Sequence, residues 1–434
     1  MPNLLLKNAT LADNTVVDIE ITEGKVSQIA SAGFLKSDAA KQINCTGLIA
    51  LPGFVDLHTH LREPGFEQSE TVYSGTASAA LGGFTAVHAM ANTSPVADTA
   101  GVVEQVKALG DEAGFVQVYP IGAVTVGLNG TQMAELGAMA NSKAKVRVFS
   151  DDGKCVHDPL IMRRALEYVK AFDGVIAQHA QEPRLTEGAQ MNEGQVSADL
   201  GLAGWPAVAE ESIIARDALL AEHVGSRLHV CHLSTKGSVE IVRWAKARGI
   251  KVTAEVTPHH LLLNEELARS YDATYKVNPP LRTSADVGAL RAALADGTID
   301  IIATDHAPHP IEAKDCEWSA ALPGMVGLEI AESVAQLVLI ESGKSNWQRL
   351  ASVLSSKPAA IAGDKNHGAI EIGRAANIAV VDPKAKRTIP RATASKSLNN
   401  PYADRELPGS IVHTIFNGNF TVLNGTLQQK EEHA

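Results

Sequence analysis

Eight short apolar runs recur through the middle of the chain: "FVDLHTH", "FTAVHAMAN", "VQVYPIGAV", "KVRVFSDDG", "GVIAQHAQE", "RLHVCHLST", "KVTAEVTPHH" and "IDIIATDHAPH". They are rich in Val and Ile, the composition of strands buried on both faces. Between them lie stretches with apolar residues at helical spacing. In "SVEIVRWAKARG" the spacing puts Ile241, Trp244 and Ala245 on one face, and Gly249 supplies a stop. Eight strands, each followed by a helical pattern, predict an α/β chain built as a closed, TIM-like (β/α)8 barrel. An open doubly wound sheet is the alternative, but no GxGxxG loop follows the first strand.

The two ends have a different rhythm. "DIEITEGKVSQIA" near the start, and "GAIEIGRAANIAVVDP" and "SIVHTIFNGNFTVLNG" near the finish, alternate with period two and break at Gly and Asn-Gly turns. That pattern predicts antiparallel strands. Residues 1–50 and 366–434 are therefore expected to form one small β-sandwich domain beside a barrel spanning 51–365. The tail "QQKEEHA" is expected to fray.

Composition narrows the class. A chain of 434 residues with 45% hydrophobic and 20% charged residues is that of a soluble globular protein. A net charge of −11 argues against nucleic acid as a partner. It leaves room for a small anionic substrate, because a bound metal reverses the local field. Cys45, Cys155, Cys231 and Cys316 have no CxxC spacing, so reduced thiols and a cytoplasmic location are expected. The opening "MPNLLLKNATLADNT" has too short an apolar core for a signal peptide, and no run approaches the ~18 apolar residues of a membrane helix.

The ends of the strands carry the chemistry. In "GFVDLHTHLREPG" the side chains of His58, His60 and Arg62 fall at alternating positions, so they can start out on one face of a strand. Asp152 in "FSDDG", His179 in "IAQHAQE", His232 in "HVCHLST" and Asp305 in "IIATDHAPH" occupy the same place on other strands. Four imidazoles and two carboxylates suffice for one or two divalent ions, and N/O ligation suits zinc. A lone buried histidine is commonly structural; four at the exits of different strands are not plausibly all so.

Together "DLHTHLREPG", "MANTSP", "SDDG", "CHLST", "TAEVTPHHL", "KVNPPLR" and "IATDHAPH" resemble the bacterial class I dihydroorotases of the amidohydrolase superfamily, along nearly the whole chain. The resemblance implies His58, His60, Asp152, His179, His232 and Asp305 as metal ligands. It implies Arg62, Asn92, Asn278 and His309 as substrate-binding residues. The reaction implied is the zinc-dependent, reversible cyclisation of N-carbamoyl-L-aspartate to L-dihydroorotate in pyrimidine synthesis. A metal-bound hydroxide would attack the ring carbonyl while Asp305 shuttles the proton. Relatives are often homodimers, and some associate with aspartate transcarbamoylase.

Several points stay open at this stage. Asp151 competes with Asp152 as the bridging ligand, since strand parity is not fixed by sequence. A carboxylated lysine is used by many relatives, but Lys143 and Lys145 precede their strand and fall at its wrong end. His88, His157, His259, His260 and His306 are expected to be structural or supporting, with His259 the first choice for orienting a ligand. Ala91 in "MANT" and Asn377 in "GRAANIAVVD" depart from the usual pattern. The long segment after Asp305, "HPIEAKDCEWSAALPGMVG", is expected to move with substrate. A hydantoinase or allantoinase is the competing enzyme reading, and a catalytically dead scaffold the non-enzymatic one.

Overall fold

The computed structural model describes residues 4–35, 39 and 41–428. The tail from 429, for which fraying was expected, lies outside the described residues. The chain opens with β1 (Leu4–Leu11), β2 (Val16–Thr22), β3 (Lys25–Ser31), β4 (Lys41–Asn44) and β5 (Ile49–Pro52). Then come eight strands that pair in parallel. They are β6 (Phe54–Thr59), β7 (Phe84–Ala89), β8 (Gln117–Pro120), β9 (Val148–Phe149), β10 (Val175–Gln178), then, past a two-strand ribbon of β11 (Met191–Asn192) and β12 (Gly204–Trp205), β13 (Leu228–Val230), β14 (Val252–Val256) and β15 (Ile301–Ile302). All eight apolar runs of the sequence contain one of them.

The parallel strands form two sheets, β6-β7-β8 and β9-β10-β13-β14-β15. Parallel bridges link their edges: Gly122 to Phe149 joins β8 to β9, and Thr59 to His306 joins the end of β15 to β6. The strands therefore close a circuit in chain order. Alternate residues point inward and make one apolar cluster of Leu57, Met90, Ile121, Val148, Val175, Ala177, Cys231, Ile301 and Ala303. The helix Lys357–Ala362 adds Ile361 and Ala362 to it, from the end where the strands begin. The functional end is thus left to the loops that follow each strand.

Helices lie between successive strands, and their ends follow local chemistry. Thr283 and Asp286 form a capping box at the start of Ser284–Asp296, and left-handed Gly297 ends it; such a cap is worth about 1 kcal/mol. The helix Lys236–Ala247 corrects the face drawn from sequence. Ser238, Val239, Val242 and Ala245 are buried, while Trp244 is exposed. These smaller side chains let the helix lie close on the strands, and Trp244 instead carries the Arg248 guanidinium 5.2 Å above its ring.

Both chain ends enter one nine-stranded sheet with β16 (Ile378–Thr388), β17 (Glu406–Phe416), β18 (Asn419–Leu423) and β19 (Thr426–Leu427). The junction is β5 against β16, antiparallel, with Ala50 opposite Val380. A separate core of Leu4, Leu6, Ile19, Ile21, Ile378, Val380 and Ile415, among others, fills this part. Asn377 accepts a hydrogen bond from the Asn417 backbone N–H at 2.8 Å and donates to the Asn366 carbonyl, so it serves the sheet. No helix among the described residues is long and apolar enough to cross a membrane. Cys45, Cys155 and Cys231 are buried free thiols and Cys316 an exposed one.

Candidate metal centre

His58 lies within β6, His60 just after it, and Asp152, His179, His232 and Asp305 within three residues of the ends of β9, β10, β13 and β15. All six side chains are buried. Their donor atoms fall into two sets, each with all atoms within 4.8 Å of one another: His58, His60, Asp152 and Asp305, and Asp152, His179 and His232. Asp152 belongs to both. Its Oδ2 is 3.3 Å from His58 Nε2 and 3.2 Å from His60 Nε2; its Oδ1 is 3.1 Å from His179 Nδ1 and 3.3 Å from His232 Nε2. Asp151 turns the other way, accepting from the Val124 and Thr125 backbone N–H groups and the Thr125 hydroxyl. Lys143 and Lys145 are exposed, far from these strand ends.

Three of the four imidazoles are oriented by the nitrogen that faces away from the cluster. His58 Nδ1 donates to Glu255 Oε1 at 2.6 Å, His60 Nδ1 to Asn92 Oδ1 at 2.9 Å, and His179 Nε2 to Gln181 Oε1 at 2.8 Å. In a neutral ring the second nitrogen is then a lone pair. Those lone pairs point at carboxylate oxygens, an arrangement that repels unless positive charge lies between them. His58 Nε2 states the case most plainly: it is fully buried, 3.3 Å from both Asp152 and Asp305, and has no hydrogen-bond partner. The donor set therefore fits a divalent cation. Without a cation, protons on the facing histidines would have to offset this repulsion, and in that state they hold Asp152 well below the ordinary carboxylate range despite its burial.

Glu255 was not anticipated. Its carboxylate holds His58, His229 Nε2 at 2.9 Å and the His232 backbone N–H at 3.2 Å. Burial is outweighed by His58 and His229, which bring its pKa down to about 2. A signal existed: Glu255 is a charge set among apolar residues on the inward face of a buried strand. His259, the first choice for orienting a ligand, does not do so; both its ring nitrogens are buried without a partner. His88, His260 and His306 bond to the Asp56 carbonyl, Thr257 and Glu70 respectively. A further set of His58, Cys231 and Glu255 also lies within ligating distance of itself.

The four expected substrate residues ring the same cluster. Arg62 is half-buried, its Nε donating to the Pro308 carbonyl at 3.1 Å and its Nη2 3.4 Å from His309 Nε2. Burial lowers it to about 10, opposed by Asp305 and Asp152, so it stays charged at neutral pH. His309 Nε2 donates to the Pro323 carbonyl at 2.9 Å. Asn278 Nδ2 donates to Gln181 Oε1 at 3.3 Å, leaving its Oδ1 buried without a partner. Arg62, His232 and Asp305 have φ of 64°, 32° and 45°. Such left-handed residues cost of order 1–3 kcal/mol each and gather where side-chain placement matters. Gly65 (φ 99°) has the same need, and a Cβ there would collide with the Ser94 carbonyl.

A cavity of about 270 Å³, lined by Gly153, Lys154, Cys155, His157 and Gln181 among others, opens beside Asp152. The segment after Asp305 is fastened across the rim. Lys314 Nζ donates to the Lys276 and Leu322 carbonyls, and Lys276 Nζ to the Trp318 carbonyl.

Residues 47–238 match the family described as Dihydro-orotase-like. A dihydroorotase of Leifsonia xyli subsp. xyli is 64% identical over 425 residues, covering 98% of this chain and 97% of its own. The chain belongs to the dihydroorotase family. Other dihydroorotases, from Streptomyces coelicolor and Mycobacterium tuberculosis, are 62% and 52% identical, each over at least 95% of both chains. Among solved structures, this dihydroorotase-family chain resembles an L-hydantoinase (dihydropyrimidinase) from Arthrobacter aurescens with a TM-score of 0.89 at 24% identity, over 99% of this chain and 98% of that one. A dihydropyrimidinase from Brevibacillus agri gives 0.83 at 22%, over 98% and 96%. These two are likenesses of fold.

Proposed function

We propose that the chain is a dihydroorotase that interconverts N-carbamoyl-L-aspartate and L-dihydroorotate at a zinc centre held by His58, His60, Asp152, His179, His232 and Asp305. The observation that carries this is the double-facing Asp152 carboxylate, which makes one ligand common to two sets of donors. The closed circuit of strands is read as a (β/α)8 barrel over 51–365. The nine-stranded sheet is read as a sandwich-like domain from 1–50 and 366–434.

A bound divalent ion supplies Lewis acidity, polarising an amide carbonyl and lowering the pKa of water. The chain's own groups do the rest. Arg62 offers paired donors to the substrate carboxylate, beside His309. Asn92, its Oδ1 committed to His60, turns its amide N–H groups to the substrate. In the hydrolytic direction Asp305 takes a proton from the attacking water and delivers it to the ring nitrogen as the C–N bond breaks. In ring closure it takes the proton from the carbamoyl nitrogen. Positive charge facing it, whether from protonated His58 and His60 or from a cation in their place, holds its carboxyl below the ordinary range despite burial, so it starts as the base.

Reduced cysteines fit a cytoplasmic enzyme of pyrimidine synthesis, working as a homodimer, alone or with aspartate transcarbamoylase. Zinc per chain measured beside turnover of carbamoyl aspartate, dihydroorotate, hydantoin and allantoin tests the reading. Preference for hydantoin or allantoin, or full turnover by metal-free protein, would overturn it.

A further inference from the structure

The half-buried Gln181 side chain sits where three hydrogen-bond chains meet, and their polarity can be followed from the backbone. The Glu182 carbonyl accepts the Thr186 hydroxyl at 3.1 Å. With its proton used there, the buried Thr186 oxygen can only accept, and it does so from Gln181 Nε2 at 2.8 Å. That fixes which end of the amide is which. Gln181 Oε1 must then face His179 Nε2 at 2.8 Å and Asn278 Nδ2 at 3.3 Å, accepting from both. Two consequences follow. His179 is held as the tautomer whose lone pair is Nδ1, the atom turned toward Asp152 and His232. Asn278 is held with its Nδ2 turned to Gln181, so it presents Oδ1, a buried acceptor with no partner.

We propose that Gln181 is a positioning residue that sets two polarities at once: the ligating nitrogen of His179, and the acceptor face of Asn278, which then selects a substrate group carrying an N–H rather than a carboxylate. This rests on the dihydroorotase reading for the identity of that N–H, the ring or carbamoyl nitrogen. It does not rest on it for the first half, which concerns metal affinity alone. Gln181 touches the ligand His179 and the expected substrate residue Asn278 together, and it also lines the cavity beside Gly153.

The test compares Gln181→Leu, Gln181→Glu and Thr186→Val with the full-length parent. Zinc affinity is read by competition with a chelating dye, and KM and kcat with carbamoyl aspartate. Gln181→Leu is expected to weaken zinc binding 10–100-fold, the usual effect of losing a ligand's outer partner, and to raise KM. Gln181→Glu keeps an accepting oxygen and adds charge behind His179, so it is expected to bind zinc at least as tightly as the parent and to restore most of KM. Thr186→Val keeps the Gln181 side chain but frees its amide to turn over, and is expected to lose less than Gln181→Leu in the same direction. In a double-mutant cycle, Asn278→Ala added to Gln181→Leu is expected to raise KM by less than the two single effects combined. A filler role would lower the melting temperature and leave zinc affinity and additivity untouched, and that result overturns the proposal. Should Gln181→Leu fail to fold, unchanged zinc affinity and KM in Thr186→Val overturn it instead. A parent that binds zinc but ignores carbamoyl aspartate would sink the dihydroorotase reading, while the zinc affinities would still judge the His179 half.

Discussion

Replacing Glu255 separates charge from shape inside the strand circuit. The carboxylate accepts from His58 Nδ1 and the His232 backbone N–H at Oε1, and from His229 Nε2 at Oε2. A glutamine has one accepting end. With its oxygen toward His58, its amide N–H meets His229, which can answer by changing tautomer: Nδ1 then donates to Thr253 Oγ1, 2.9 Å away. Every group stays bonded, so Glu255→Gln is expected to fold with a melting temperature near the parent's. What it loses is the charge. A hydrogen bond to a charged group contributes roughly 1 kcal/mol more than a neutral one, so His58 becomes a weaker donor to metal by about that amount, or five- to tenfold in affinity. Glu255→Ala also removes the acceptor. His229 has Thr253 to turn to, but His58 Nδ1 and the His232 N–H do not, and two stranded buried donors cost roughly 2–6 kcal/mol. Chemical denaturation and zinc competition read the two effects. Parent-like zinc affinity in Glu255→Gln would refute the view that this carboxylate tunes His58.

Asp305→Asn removes the proton carrier and is expected to lower turnover about 10²–10⁴-fold in both directions; unchanged turnover would exclude Asp305 as the base. Lys314→Met keeps the aliphatic stem but loses the bonds to the Lys276 and Leu322 carbonyls. Limited proteolysis between 309 and 324 is expected to quicken, and an unaltered cleavage rate would mean Lys314 does not fasten the segment. Glu332 is buried with both oxygens unpartnered, and burial, only partly opposed by Arg387, raises it from 4.5 to about 8. The folded chain keeps a proton there that the unfolded chain releases, so this group makes stability fall as pH rises between those values. Glu332→Gln has no such loss, so denaturation midpoints should separate from the parent's with rising pH, whereas a constant difference would show Glu332 to be ionised.

The strands were legible because a buried parallel strand writes its own signature: an apolar run that needs no partner to be seen. Which residues end up opposite one another is a different matter. The two residues of β11 and of β12 are too few to leave a pattern, and Arg282 looked like one letter of a motif. In the fold it is a fully buried guanidinium joining Asn192, the Trp205 carbonyl and Ser234 from three segments. The face of Lys236–Ala247 was misjudged because helical spacing fits two overlapping stripes, and size decided between them. The convergence of six side chains could be expected because each stands at the same end of its strand. Their orientation could not, since it depends on partners such as Glu255, 197 residues from His58.

That difference has a physical source. A metal-binding nitrogen and the nitrogen that must not bind metal belong to the same ring, and nothing in the residue type says which is which. The choice is made by whatever accepts the other N–H: Glu255 for His58, Asn92 for His60 and Gln181 for His179. One acceptor is charged and two are neutral amides, so the three imidazoles are not equivalent donors. The charged one lies in the set that contains Asp305, and His179 in the other set has an amide behind it. A carboxylate behind a ligand raises its basicity, so the two halves of the centre should differ in affinity, with the half holding His58 filling first as metal is titrated into stripped protein. Asp152, shared by both, couples the two events: its Oδ2 faces His58 and His60 while its Oδ1 faces His179 and His232. Where both donor sets take metal, the order of filling is therefore expected to follow the residues behind the ligands rather than the ligands themselves.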